Sequence, residues 1–105
     1  PRKVSLPKLV RDQIPKIIES QNKKCAYYKA KPEEKLSFLY KKMQEELLEF
    51  QESPNVMEAA DIYEVFLSIL KQKNLDFSAV VNHAHYKRVD RGSFDSGFIL
   101  EEVFE

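Results

Sequence analysis

Apolar residues recur along this chain at helical spacing, and turn-forming residues punctuate them in four places. Ile14, Ile17 and Ile18 begin the first such stretch, with Asp12 as N-cap, Pro15 in the tolerant first turn and an end near Asn22. Residues 23–31 carry no helical stripe and are expected to form an extended connector. The second and longest stretch opens at Pro32, with Glu33 and Glu34 in the first turn where the helix dipole favours acids. It runs to about Glu52 behind a stripe of Leu36, Leu39, Tyr40, Met43, Leu47 and Phe50. Ser53-Pro54-Asn55 breaks it. Asn55 then caps a third helix, whose inward face is Ile62, Val65, Phe66, Ile69 and Leu70 and which ends near Lys73. After Asn74-Leu75-Asp76, with Asp76 as cap, a fourth helix reaches about Arg91 and is stopped by Gly92. The apolar run Phe98-Ile99-Leu100 in the tail needs somewhere to dock. The pattern predicts an all-α bundle of about four helices, the second and third forming an antiparallel hairpin because their link is so short.

Length narrows the picture: 105 residues fit one domain, 1–105, and so short a chain buries a small share of its surface, so one or two helical hairpins call for a partner. Hydrophobic residues make up 43% and charged residues 32%, the balance of a folded domain. No apolar run approaches the roughly 20 residues that span a bilayer, and no signal-type stretch follows the basic start; with Cys25 as the single cysteine, a cytoplasmic protein with no membrane partner is expected. Net charge is zero but unevenly spread. Residues 1–31 hold nine Lys/Arg against two acids, and residues 32–76 hold ten acids against five lysines. That distribution disfavours a nucleic-acid polymer as partner, and leaves room for a small polyanion bridged by a metal.

Some of those acids stand where a solvated face does not explain them. At about 100° per residue, Glu58 falls in line with Ile62, Val65 and Ile69, and Asp61 lies at the edge of that stripe. Glu46 continues the row Leu39, Met43, Phe50, with Glu49 beside it, whereas Glu45 and Glu52 point outward. The two pairs are also level about Pro54. Glu49 stands five residues before it and Glu58 four after, Glu46 eight before and Asp61 seven after. Each pair spans about 4.5 Å of helix rise, so four carboxylates converge on a volume suited to one or two hard cations. No amine on the same stripes is placed to neutralise them, Lys42 being the nearest. All-oxygen ligation points to Mg²⁺, with Mn²⁺ as substitute. The competing explanation is pairing with Lys or Arg from another helix. A di-iron bundle would need Glu-x-x-His pairs, which are absent, and His83 and His85 face different directions on their helix. Lys87 and Arg91, one turn apart, are placed either to hold outer phosphates or to form a solvated basic helix end. Phe38, Tyr40, Phe50, Tyr63 and Phe66 are the aromatics available to a nucleobase, although their spacing assigns most of them to the core.

The motif Glu46-x-x-Glu49 followed by Glu58-x-x-Asp61 resembles the paired ExxE and ExxD signature of the MazG-like all-α nucleotide pyrophosphohydrolases. The flanks extend the likeness over nearly the whole chain. Residues 8–18, KLVRDQIPKII, resemble the KLVRDKIPEII opening of a compact subgroup labelled phosphoribosyl-ATP pyrophosphohydrolase-like. Residues 87–94, KRVDRGSF, and 97–102, GFILEE, resemble that subgroup's KxxERGGF and FLEE segments, with Asp90 in place of Glu and Ser93 in place of Gly. The resemblance implies a homodimer or dimer of dimers with its active site between subunits, which hydrolyses a nucleoside triphosphate between its α and β phosphates. It implies Glu46, Glu49, Glu58 and Asp61 as Mg²⁺ ligands, Glu46 or Glu49 as the group that orients and deprotonates water, and Arg11 and Asp12 at the active site. Non-standard or excess dNTPs are the expected substrates. Phosphoribosyl-ATP, or a non-catalytic module that senses a nucleotide or binds a partner, are the alternatives.

Overall fold

The computed structural model describes residues 6–105, and among them every regular element is a helix. Four occur: α1 (Ile14–Ser20), α2 (Pro32–Glu52), α3 (Val56–Gln72) and α4 (Phe77–Arg91). The chain falls into two compact units, Pro1–Asn74 with α1 to α3 and Leu75–Glu105 with α4 and the tail.

In the first unit α2 and α3 pack against each other as the expected hairpin. Leu39 from α2 and Val65 and Leu70 from α3 are the buried apolar residues, with Leu36, Met43, Phe50, Ile62 and Ile69 half-buried around them. Tyr40 and Leu47, expected on the inward stripe of α2, are instead 47% and 50% exposed, and Phe66 of α3 is 37% exposed. The reason is geometric. One partner helix covers a narrower arc than the full apolar stripe of α2, and the flanks of that stripe face outward. Glu45, expected to point outward, is half-buried.

Local chemistry fixes the ends of these helices. Asn55 accepts the Glu58 N–H at 2.9 Å, so the first turn of α3 is capped by the residue that the sequence marks. At α1 the cap is Gln13, without a side-chain hydrogen bond, and not Asp12. An Asp12 cap would have needed the N–H of residue 14 or 15. That of Ile14 already donates to the Arg11 carbonyl at 3.0 Å, and Pro15 has none. α1 also stops short of Asn22, which takes φ +60° while the Asn22 and Lys23 N–H groups close back on the Glu19 and Ile18 carbonyls, a Schellman turn that satisfies the last carbonyls. The connector that follows has no regular structure, as its pattern predicts. It is tied down by Cys25 Sγ donating to the Pro15 carbonyl (3.9 Å) and Tyr28 donating to Glu34 (2.8 Å). Gln72 donates to the Pro32 carbonyl, joining the end of α3 to the start of α2.

In the second unit Asp76 caps α4 by accepting the Ala79 N–H at 2.9 Å, and Gly92, at φ +88°, ends it. Val80 is its one half-buried residue; His83 and His85 are exposed, the latter in ring contact with Tyr86. Phe98, Ile99 and Leu100, expected to dock, are more than four-fifths exposed and have no regular structure. No helix of the described residues is long and apolar enough to cross a membrane.

Candidate metal centre

Four carboxylates from the two hairpin helices meet at one level. One oxygen from each of Glu46, Glu49, Glu58 and Asp61 lies within 4.8 Å of the others, which is the juxtaposition that the symmetry of the two pairs about Pro54 predicts. Each helix contributes differently. Glu46 stands mid-way along α2, where the hairpin covers it, and is 6% exposed. Glu58 stands in the first turn of α3, where the Asn55 cap fixes its backbone and the positive helix end favours a negative side chain.

Two cations reach the cluster. Arg11, from the turn before α1, donates through Nη2 to Asp61 Oδ1 at 2.8 Å, with both side chains substantially exposed. Lys42 lies with Nζ 3.6 Å from Glu46 Oε1, an ion pair too long to be a hydrogen bond. Lys42, expected from the sequence as the nearest amine but not as one placed to neutralise the acids, thus does pair with Glu46. It precedes Glu46 by one helical turn, and i, i+4 side chains meet on a helix surface.

These two cations do not satisfy the centre. Glu46 Oε2 and Glu58 Oε2 are buried and meet no hydrogen-bond donor among the described residues. Burial is the largest cause that lifts Glu46 above the ordinary carboxylate range; a hydrogen bond and repulsion from Glu49 add to it, and repulsion from Asp61 contributes less. Lys42 pulls the other way without cancelling them. Buried carboxylate oxygens without donors are costly, and an all-oxygen donor set of this size is what Mg²⁺ or Mn²⁺ takes. The donor set fits such an ion.

The remaining expected site residues are placed as follows. Arg11 touches the cluster through Asp61, whereas Asp12 is exposed and makes no cap. Lys87 and Arg91 belong to the second unit, both exposed on α4, with Arg91 Nε 3.6 Å from Asp90 Oδ2. None of Phe38, Tyr40, Phe50, Tyr63 and Phe66 is buried, so the expected core assignment of most of these aromatics does not hold. Comparison with protein-family models, with curated proteins and with solved structures finds no match.

Proposed function

We propose that this protein is a Mg²⁺-dependent, MazG-like nucleotide pyrophosphohydrolase that acts in the cytoplasm as a homodimer or dimer of dimers. It cleaves non-standard or excess nucleoside triphosphates to a monophosphate and pyrophosphate. The observation that carries this proposal is the level set of four carboxylates with two buried oxygens, on Glu46 and Glu58, that no donor among the described residues reaches.

Hydrolysing a phosphoanhydride asks little covalent chemistry of a protein. It needs charge on the phosphates offset and a water oriented in line with the bond that breaks. A divalent ion held by Glu46, Glu49, Glu58 and Asp61 would supply the first and would make water easier to deprotonate. The chain's part is to hold four carboxylates at one depth and to take a proton. Glu46 or Glu49 receives it from the attacking water. The water oxygen bonds to the α-phosphorus as the bond to the bridging oxygen breaks and pyrophosphate leaves. Arg11, with its side chain more than half exposed beside Asp61, is available to an incoming phosphate, and Lys87 and Arg91 are further phosphate-binding candidates. A partner copy is supported by the sparse core of Leu39, Val65 and Leu70 and by exposed Tyr40, Leu47 and Leu48 on α2.

One observation favours a second, non-catalytic reading, a helical module that senses a nucleotide or binds a partner. Lys42 and Arg11 already offset part of the cluster's charge, as an ion-pair network would. Pyrophosphate release from a panel of canonical and modified nucleoside triphosphates and phosphoribosyl-ATP, with Mg²⁺, Mn²⁺ or EDTA, separates the two. Metal-dependent release that Glu58→Gln abolishes while the variant stays folded supports the enzyme and identifies its substrate class. No release from any substrate by folded, oligomeric protein leaves the binding module.

A further inference from the structure

The carboxylate centre and a neighbouring cleft share a side chain. Lys42, paired with Glu46, also lines a cleft of about 60 Å³ between residues 7–9 and the outer side of α2, within the same unit. Among the described residues Lys8 and Lys41 line it too, with Glu45 as the one acid. Pro7, Leu9 and Phe38 make its apolar wall, and Lys41 Nζ stands 5.8 Å from the centroid of the Phe38 ring. Lysine charges beside an apolar wall attract anions more strongly than the same charges in open water, because field lines concentrate where the dielectric is low. Size narrows the class of ligand. One water occupies about 10–15 Å³ of such volume, so the cleft holds a few waters, the room of a phosphoryl group and too little for a nucleobase.

We propose that this cleft is an anion subsite of the carboxylate centre, which takes the terminal phosphoryl group of a polyphosphate. Lys8 and Lys41 supply its charge, and Lys42 bridges it to Glu46. The inference rests on the centre being that of a metal-dependent pyrophosphohydrolase, and it gives that reaction a direction. The leaving pyrophosphate lies on the Lys42 side, and the nucleoside lies away from it. Lys42 suits the bridging role because it lines the cleft while its Nζ stands 3.6 Å from Glu46 Oε1.

The test is calorimetric titration of inorganic pyrophosphate into the full chain, with and without Mn²⁺, alongside Mn²⁺ affinity measured by electron paramagnetic resonance. Wild type is compared with Lys8→Ala, Lys41→Ala, the double variant, and Lys71→Ala as a control on an exposed position of α3. Both cleft lysines are exposed, so the variants are expected to fold, and circular dichroism checks that they do. The double variant is expected to bind pyrophosphate at least about tenfold more weakly, since charge-assisted contacts are lost. Its Mn²⁺ affinity should stay unchanged, and Lys71→Ala should behave as wild type. Equal pyrophosphate affinity in wild type and double variant, or an equal loss in Lys71→Ala, overturns the subsite. Lysine-dependent pyrophosphate binding in a protein that hydrolyses no nucleotide upholds the subsite and rejects the catalytic proposal; metal-dependent nucleotide hydrolysis with pyrophosphate affinity indifferent to Lys8 and Lys41 does the reverse.

Discussion

Glu46→Gln should reverse its effect on stability when metal is added. In the metal-free protein the Glu46 carboxylate is 6% exposed, its Oε2 meets no donor, and burial together with Glu49 and Asp61 raises it above the usual carboxylate range. Lys42 offsets only part of this, from 3.6 Å and without a hydrogen bond. Replacing the carboxylate by an amide of the same shape removes both the repulsion and the attraction, and the repulsive side is the larger. The metal-free variant is therefore expected to be more stable than wild type at neutral pH, by about 1 kcal/mol, the size of a modest differential charge effect. For a unit of this length that is a rise in melting temperature of about 4–8 °C. With saturating Mg²⁺ the order inverts. Wild type gains about 2.7 kcal/mol when the ion is at 100 times its dissociation constant, whereas the variant, short of one charged ligand, gains little.

Thermal unfolding of both proteins in EDTA and in Mg²⁺ reads this crossing directly. A variant less stable than wild type in EDTA would show that the Lys42 pair outweighs the repulsion. A variant that keeps the full Mg²⁺ response would show that Glu46 ligates nothing. Either result refutes the account of why Glu46 is buried.

Three further outcomes follow from the same geometry. Because the folded protein holds a proton on Glu46 to higher pH than the unfolded chain does, the metal-free protein should lose stability as pH rises from the ordinary carboxylate range through the raised value. Mg²⁺ affinity should increase over the same window, with proton release visible in calorimetry run in two buffers; a pH-independent affinity would count against the raised Glu46 value. Asn55→Ala removes a cap worth about 1 kcal/mol and loosens the turn that holds Glu58, so Mg²⁺ affinity should fall although no ligand is lost, and an unchanged affinity would separate the cap from the centre. Arg11→Ala breaks an ion pair between two substantially exposed side chains, so unfolding free energy should move by less than about 1 kcal/mol. If Arg11 meets substrate, KM rises more than kcat falls, and an unchanged KM would confine it to the surface pair.

Which of these residues the sequence revealed depends on how far the relevant interaction reaches along the chain. The bounds of α2 and the caps Asn55 and Asp76 were legible because propensity and capping act within a turn or two. The level of the four carboxylates was legible because a tight hairpin about Pro54 turns sequence distance into depth. Asp12 failed as a cap because the Arg11 carbonyl took the Ile14 N–H first, a choice between two local partners that the residue types alone do not decide. Tyr40 and Leu47 were misjudged for a different reason: periodicity gives the direction of a face and not the width of whatever covers it. The Arg11–Asp61 contact, fifty residues apart in sequence, lay outside any periodic argument, since it depends on where the segment before α1 crosses α3. Lys42 is the instructive case, because spacing alone brought it within reach of Glu46. It was set aside by treating neutralisation as a property of the stripe, when a lysine's long stem carries its charge well to the side of its own backbone position. An acid cluster on a helix is therefore better judged by every cation within one turn of it, on or off the face, and by which carboxylate oxygens those cations still leave without a donor. By that criterion the centre keeps two such oxygens after Lys42 and Arg11 have been counted, on Glu46 and on Glu58, one from each helix of the hairpin.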